Sequence, residues 1–153
     1  MGRKSGITVV VAGMASLPEK ARRAGLYRKA VEAAFATSRR KFRGEVNVIF
    51  LGRAEMLRMN RHYLGHDFDT DVITFEHDRT PGIPGDEHPI GDIIVSSWMT
   101  RSQAREIGHS VAEEAATLVA HGALHLLGYD DHREKDRKRM FKVQNRVVAS
   151  LSA

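Results

Sequence analysis

The sequence predicts an α+β fold, a single mixed β-sheet with helices packed on it and a metal site at the C-terminal end of a central helix. Three observations lead there. Short β-branched runs and segments of helical period succeed one another as β-α-β-α-β-β-α-α-α, an order that suits one sheet and its covering helices. The length of 153 residues is that of one compact domain, so residues 1–153 are expected to form a single unit that buries roughly two thirds of its unfolded surface. One apolar helical segment carries His121 and His125 close to its end, directly before a glycine stop and more ligand-type residues.

Ile7 to Ala12 is a β-branched run and predicts the first strand. After Leu17-Pro18, apolar residues at Ala21, Leu26, Ala30, Val31, Ala34 and Phe35 predict a basic helix. Val46 to Leu51 alternates as a strand, and Ala54 to Tyr63 returns to helical spacing before Gly65. Val72 to Phe75 and Ile93 to Val95 read as two further strands. Between them, His77 to Pro89 gathers prolines and glycines, so it is expected to be a loop, either a connector or a flap facing substrate. Ser97 to Ile107 reads as a helix ended by Gly108. Ser110 with Glu113 forms a capping box ahead of Ala112, Ala115, Ala116, Val119, Ala123, Leu126 and Leu127, whose helical period runs to Gly128, a left-handed stop. A last helix from about Arg133 to Leu151 sets Met140, Val143, Val147 and Val148 near one face among basic residues.

Composition narrows the chemistry. No run approaches the ~18 apolar residues of a membrane span, and the apolar stretch after the basic start is shorter than a signal sequence requires, so a cytoplasmic protein without membrane association is expected. Cysteine is absent, which leaves any metal to histidines and carboxylates. The net charge of +5 is uneven. Residues 1–43 carry eleven Lys or Arg against Glu19 and Glu32, a net of +9, and the remainder is −4. Such a segment suits a polyanion, although a solvated helix face explains it equally well. Arg39, Arg40, Lys41 and Arg43 are its densest cluster and the candidate substrate-binding residues.

His121 and His125 are four residues apart on one helix, so their imidazoles project from the same face on successive turns. Asp130, Asp131 and His132 follow the glycine stop, and any of them can fold back as a third ligand. Three protein ligands with one open position describe a catalytic zinc. Gly122 stands where the zinc-peptidase pattern H-E-x-x-H places its glutamate base, which weakens a peptidase reading.

HGALHLLGYDDH, residues 121–132, resembles the signature of the YbeY family of metal-dependent endoribonucleases, the ribosomal RNA maturation factors. Asn60, Tyr63, Gly65, Asp67, the block Thr70 to Phe75, and Gly91-Asp92-Ile93 resemble further family blocks in the family's order, over roughly residues 46–141. The resemblance implies a cleft holding one Zn2+ per chain and single-strand-specific cleavage of ribosomal RNA. It also implies a role in 3′ end maturation of small-subunit ribosomal RNA and in ribosome quality control, with the small ribosomal subunit as partner. Two departures stand out. Leu64 occupies the place of an arginine thought to engage RNA phosphate, and Arg61, three residues earlier on the same predicted helix, is the candidate to replace it in catalysis. Asp131 occupies the place of the third histidine ligand, with His132 one step late. The family usually has a methionine nine residues after its third ligand, and Met140 stands nine residues after Asp131, so the resemblance favours Asp131 over His132. Thr70 and Asp71 can line the cleft or simply form a turn, and Asp92 is expected to be structural. The alternative function is an RNA-binding ribosome-assembly factor whose zinc is mainly structural.

Overall fold

The computed structural model describes residues 6–77 and 89–152. Its principal elements, in chain order, are β1 (Gly6–Ala12), α1 (Ala24–Phe35), β2 (Arg43–Leu51), α2 (Arg53–Met59), β3 (Val72–Glu76), β4 (Pro89–Ser96), α3 (Ser97–Ile107), α4 (Val111–Leu126) and α5 (Glu134–Ser150). The strands form one mixed sheet in the order β1-β2-β4-β3. β1, β2 and β4 run parallel, while β3 pairs antiparallel with β4 at the edge.

Side-chain alternation decides what each sheet face meets. Ile7, Val9, Val46, Val48, Ile93 and Val95 point into the main core, where they meet Tyr27, Val31 and Ala34 of α1, Ala116, Val119 and Ala123 of α4, and Met140 and Val147 of α5. The other face carries Ile73 and Ile94, covered by Met56 of α2 in a second, smaller cluster. α4 is therefore the central helix, lying over β3 and β4 between α1, α3 and α5. Its many alanines let neighbours approach closely. Gly122 is closest of all, because a Cβ there would lie 2.6 Å from Cγ2 of Ile93 and 3.3 Å from Cγ2 of Thr74.

Several boundaries differ from the sequence pattern. Ala21 belongs to a separate 3-10 turn, Glu19–Ala21, after Pro18. The buried Tyr27 hydroxyl donates to the Ala21 carbonyl at 2.5 Å, and burial pushes that hydroxyl's pKa up to about 12. The second and fourth strands begin earlier than their apolar runs, at Arg43 and Pro89. The helical pattern to Tyr63 is divided, α2 continuing as a π-helical turn, Asn60–Leu64, that ends on Gly65. Of the expected loop from His77 to Pro89, residues 78–88 lie outside the described residues. The capping box at Ser110 and Glu113 forms in both directions. Hydrogen bonds from Ser110 hold the Glu113 carboxyl below its usual range. Asp71 accepts from the Val72 N–H and from Gln103, while Asp92 accepts from Asn47 and bonds His77. Both aspartates act here as structural ties.

Candidate metal centre

Gly122 faces the sheet, which turns the neighbouring His121, and His125 one turn on, away from the strands toward α5 and the chain that follows α4. Gly128, with φ +101°, reverses the chain. The Tyr129 N–H bonds back to the Leu124 carbonyl at 3.1 Å, as a glycine-capped helix end requires. That turn brings the Tyr129 carbonyl to Nδ1 of His125 at 3.1 Å. Two residues later it presents Asp131.

The geometry that results is a triangle of donor atoms. The Nε2 atoms of His121 and His125 lie 3.1 Å apart, and Oδ2 of Asp131 lies 3.5 Å from each. The three residues are partly buried and form a group of possible metal ligands. Donors at ~2.0–2.2 Å from a tetrahedral ion are roughly 3.3–3.6 Å from one another, so these spacings are close to the edges of such a site.

The other nitrogen of each ring gives this arrangement its chemical meaning. Nδ1 of His125 faces a backbone carbonyl, which only accepts, and Nδ1 of His121 faces Oε1 of the buried Gln144 at 2.7 Å. A hydrogen on each Nδ1 serves these acceptors, and in that tautomer both Nε2 lone pairs are directed toward each other and toward a carboxylate. Two imidazole nitrogens and a carboxylate oxygen converging in this way are a donor set that fits a divalent metal.

Not every residue singled out in the sequence is brought to this triangle. The His132 side chain is 88% exposed, with Nε2 3.7 Å from Asp130 Oδ1; with Asp130 and Asp131 it makes a second, overlapping group of possible ligands. The Asp130 carboxylate is held below its usual pKa first of all by the His132 backbone N–H. The Arg61 guanidinium pairs with Asp67 on the π-helical turn, and no described contact joins it to the histidines. Arg39, Arg40 and Lys41 occupy the connection from α1 to β2, and Arg43 opens β2. Arg40 lies over the Phe42 ring at 4.6 Å. Arg39 lines an open cavity of about 560 Å³ together with Gly128, Tyr129, Asp130 and Arg139, so this loop adjoins the segment leading to Asp131.

Gln144 and the Tyr129 carbonyl did not stand out in the sequence. Gln144 had one signal, a polar residue in the stripe of Met140, Val143 and Val147. A backbone carbonyl has none.

A sequence profile described as "Endoribonuclease YbeY" matches residues 15–152. Endoribonuclease YbeY of Elusimicrobium minutum is 36% identical over 135 residues, covering 88% of this chain and 93% of that one. The protein of the same name from Alkalilimnicola ehrlichii is 33% identical over 145 residues, covering 95% and 85%. The solution structure of TM1509 from Thermotoga maritima superposes with a TM-score of 0.62 at 25% identity, covering 94% of this chain and 89% of that one.

Proposed function

The chain belongs to the endoribonuclease YbeY family, and from that premise we propose that it cleaves single-stranded ribosomal RNA with one divalent cation, zinc foremost, held by His121, His125 and Asp131. As a family member it is an endoribonuclease, breaking phosphodiester bonds within RNA. The observation carrying the metal reading is the meeting of two Nε2 lone pairs 3.1 Å apart with the Asp131 carboxylate. Zinc suits imidazole donors in a site without thiolates, and three protein ligands leave a position open. When bound, the ion supplies Lewis-acid stabilisation of charge on the phosphate and acidifies water.

The chain's own residues then divide the remaining work. Gln144 and the Tyr129 carbonyl hold the two imidazoles at fixed angles. Asp131 in place of a neutral ligand lowers the formal charge of the loaded site from +2 to +1, and His132, beside it and exposed, is placed to exchange protons. Arg61 reaches RNA phosphate on letting go of Asp67, an exchange that an exposed ion pair permits at little cost. Arg39, Arg40, Lys41 and Arg43 contact the RNA backbone without reading bases. Residues 1–153 work as one domain. The cellular task that follows is 3′ end maturation of small-subunit ribosomal RNA and ribosome quality control in the cytoplasm, on the small ribosomal subunit.

The test combines metal content with cleavage of ribosomal RNA by purified protein. Near one equivalent of zinc is expected for the wild type and for His132→Ala, and well under half for Asp131→Ala and for the double variant His121→Ala, His125→Ala, with cleavage lost in step. Zinc retained by Asp131→Ala and lost by His132→Ala would overturn the ligand set. Tight RNA binding with no cleavage by fully loaded protein would favour the assembly factor with a structural zinc.

A further inference from the structure

The π-helical turn and the loop after it present apolar rings to solvent. Tyr63 is 59% and Phe68 62% exposed. Phe68 stacks nearly parallel on His66, with centroids 3.9 Å apart and an interplanar angle of 10°. Tyr63 meets His62 at 4.4 Å and Phe75 at 5.4 Å, edge to face in both cases. None of these exposed rings is needed to hold the loop. Its interior is polar, with the fully buried Asn60 donating from Nδ2 to the Phe68 carbonyl at 2.9 Å. Its far end is clamped by Arg53, which grips Asp69 at 2.9 Å and lies over Trp98 at 4.0 Å. Phe68 is thus fixed in place while giving up the burial that would make it a core residue.

We infer that this loop is a stacking platform for unpaired RNA bases, with Phe68 as its principal ring and Tyr63 as the second. The inference rests on the endoribonuclease reading and specifies how the substrate is held. Tyr63 and Phe68 are separated by Leu64, Gly65, His66 and Asp67, and the exposed Asp67 carboxylate between them is at odds with a dry protein interface, whose core is depleted of acidic residues. Flat faces beside cationic groups suit a base and its adjoining phosphate. Thr74 of β3 lies under Gly122, next in the chain to His121, and Phe75 of the same strand carries Tyr63. Platform and metal helix therefore pack on the same edge strand from its two faces, Phe75 turning toward Met56 and Thr74 toward α4. A duplex keeps its bases stacked on each other and offers this platform nothing.

The experiment measures binding of the zinc-loaded protein to a 2′-O-methyl single strand, which resists attack through its 2′ oxygen, and to a duplex of equal length, with 2-aminopurine in the single strand to report stacking. Phe68→Leu keeps the apolar bulk and removes the π face. It should weaken single-strand binding about five- to 100-fold and abolish the quenching of 2-aminopurine. Phe68→Tyr should restore both, and duplex binding should not change. Single-strand binding within twofold of wild type for both Phe68→Leu and Tyr63→Leu, with ribosomal RNA still cleaved, would overturn the platform alone and assign the rings to a protein surface. A wild type that neither binds nor cleaves RNA would overturn the functional reading and this inference with it.

Discussion

At His121 and His125 the useful nitrogen is set by the other one. Nδ1 of His121 depends on a single side chain, Gln144, which is 5% exposed on α5. Replacing it with leucine fills similar space but leaves the ring without its acceptor. The tautomer and ring angle then loosen, and partners of this kind are typically worth ten- to 100-fold in metal affinity. Gln144→Leu is therefore expected to weaken zinc binding by about that factor in a chelator competition, with Gln144→Glu restoring much of it; unchanged affinity in the leucine variant would mean that His121 is positioned by packing alone. This residue also marks where sequence reading stops. His121 and His125 were legible because four residues of helix place two side chains on one face. Asp131 was legible only through the family's register with Met140, and the glycine-capped turn does bring it within 3.5 Å of both histidines. Gln144 lies 19 residues after His125 on a different helix, and its contact with His121 exists only once α5 has packed on α4. Arg61 reads as the candidate to replace the missing arginine, and its pairing with Asp67 had no trace in the sequence, because it depends on a π-helical turn that apolar spacing does not distinguish from an α-helix.

Among the elements, α4 was the most legible, because a capping box and a left-handed glycine mark both of its ends. The order of the strands was not. Two parallel neighbours with a third strand inserted outside them, β2-β4-β3, follow from long-range pairing that leaves no local trace in the alternation of Val72 to Phe75. Gly122 connects these two facts, since it lets α4 settle on β4 and edge strand β3. A Cβ at this position would meet Ile93 Cγ2 at 2.6 Å, on a β-branched side chain that has little freedom to move aside. Two effects oppose each other in Gly122→Ala. Helix propensity favours alanine by about 1 kcal/mol, while overpacking of a filled core costs about 1–3 kcal/mol. Overpacking is expected to win. The melting temperature of the metal-free protein should fall by a few degrees, since each kcal/mol is worth about 2–4 °C at this chain length. A higher melting temperature would show that the helix rides further from the sheet than the contact implies. The same closeness explains why a glutamate base has no place at this position, where its side chain would be driven into β3 and β4.

Charge is organised at the level of the whole molecule, and the division of the sequence at Arg43 captured only half of it. Residues 133–153 carry seven Lys or Arg against Glu134 and Asp136, a net of +5, so both ends of the chain are basic and the middle is strongly acidic. Folding brings the two basic ends together, as α1 and α5 pack on the same face of the sheet. Arg39 from one and Arg139 from the other line the same cavity beside Tyr129 and Asp130. The sequence could not show this, because the two segments are about a hundred residues apart and meet only once α1 and α5 have packed on each other. A composite basic surface has a measurable consequence. For single strands, the logarithm of affinity falls against the logarithm of salt with a slope of about −0.7 per phosphate neutralised. Neutralising Arg39, Arg40, Lys41 and Arg43 together removes at most four contacts, so the slope should flatten by up to about 3. It should not vanish, since the α5 cations remain. Because phosphate contacts carry no sequence information, affinity should drop by a similar factor for unrelated RNA sequences. Salt titrations of wild type and the fourfold variant on two unrelated strands decide the matter. An unaltered slope would make the α1–β2 connection a solvated surface, and a loss confined to one of the two sequences would mean that these side chains read bases after all.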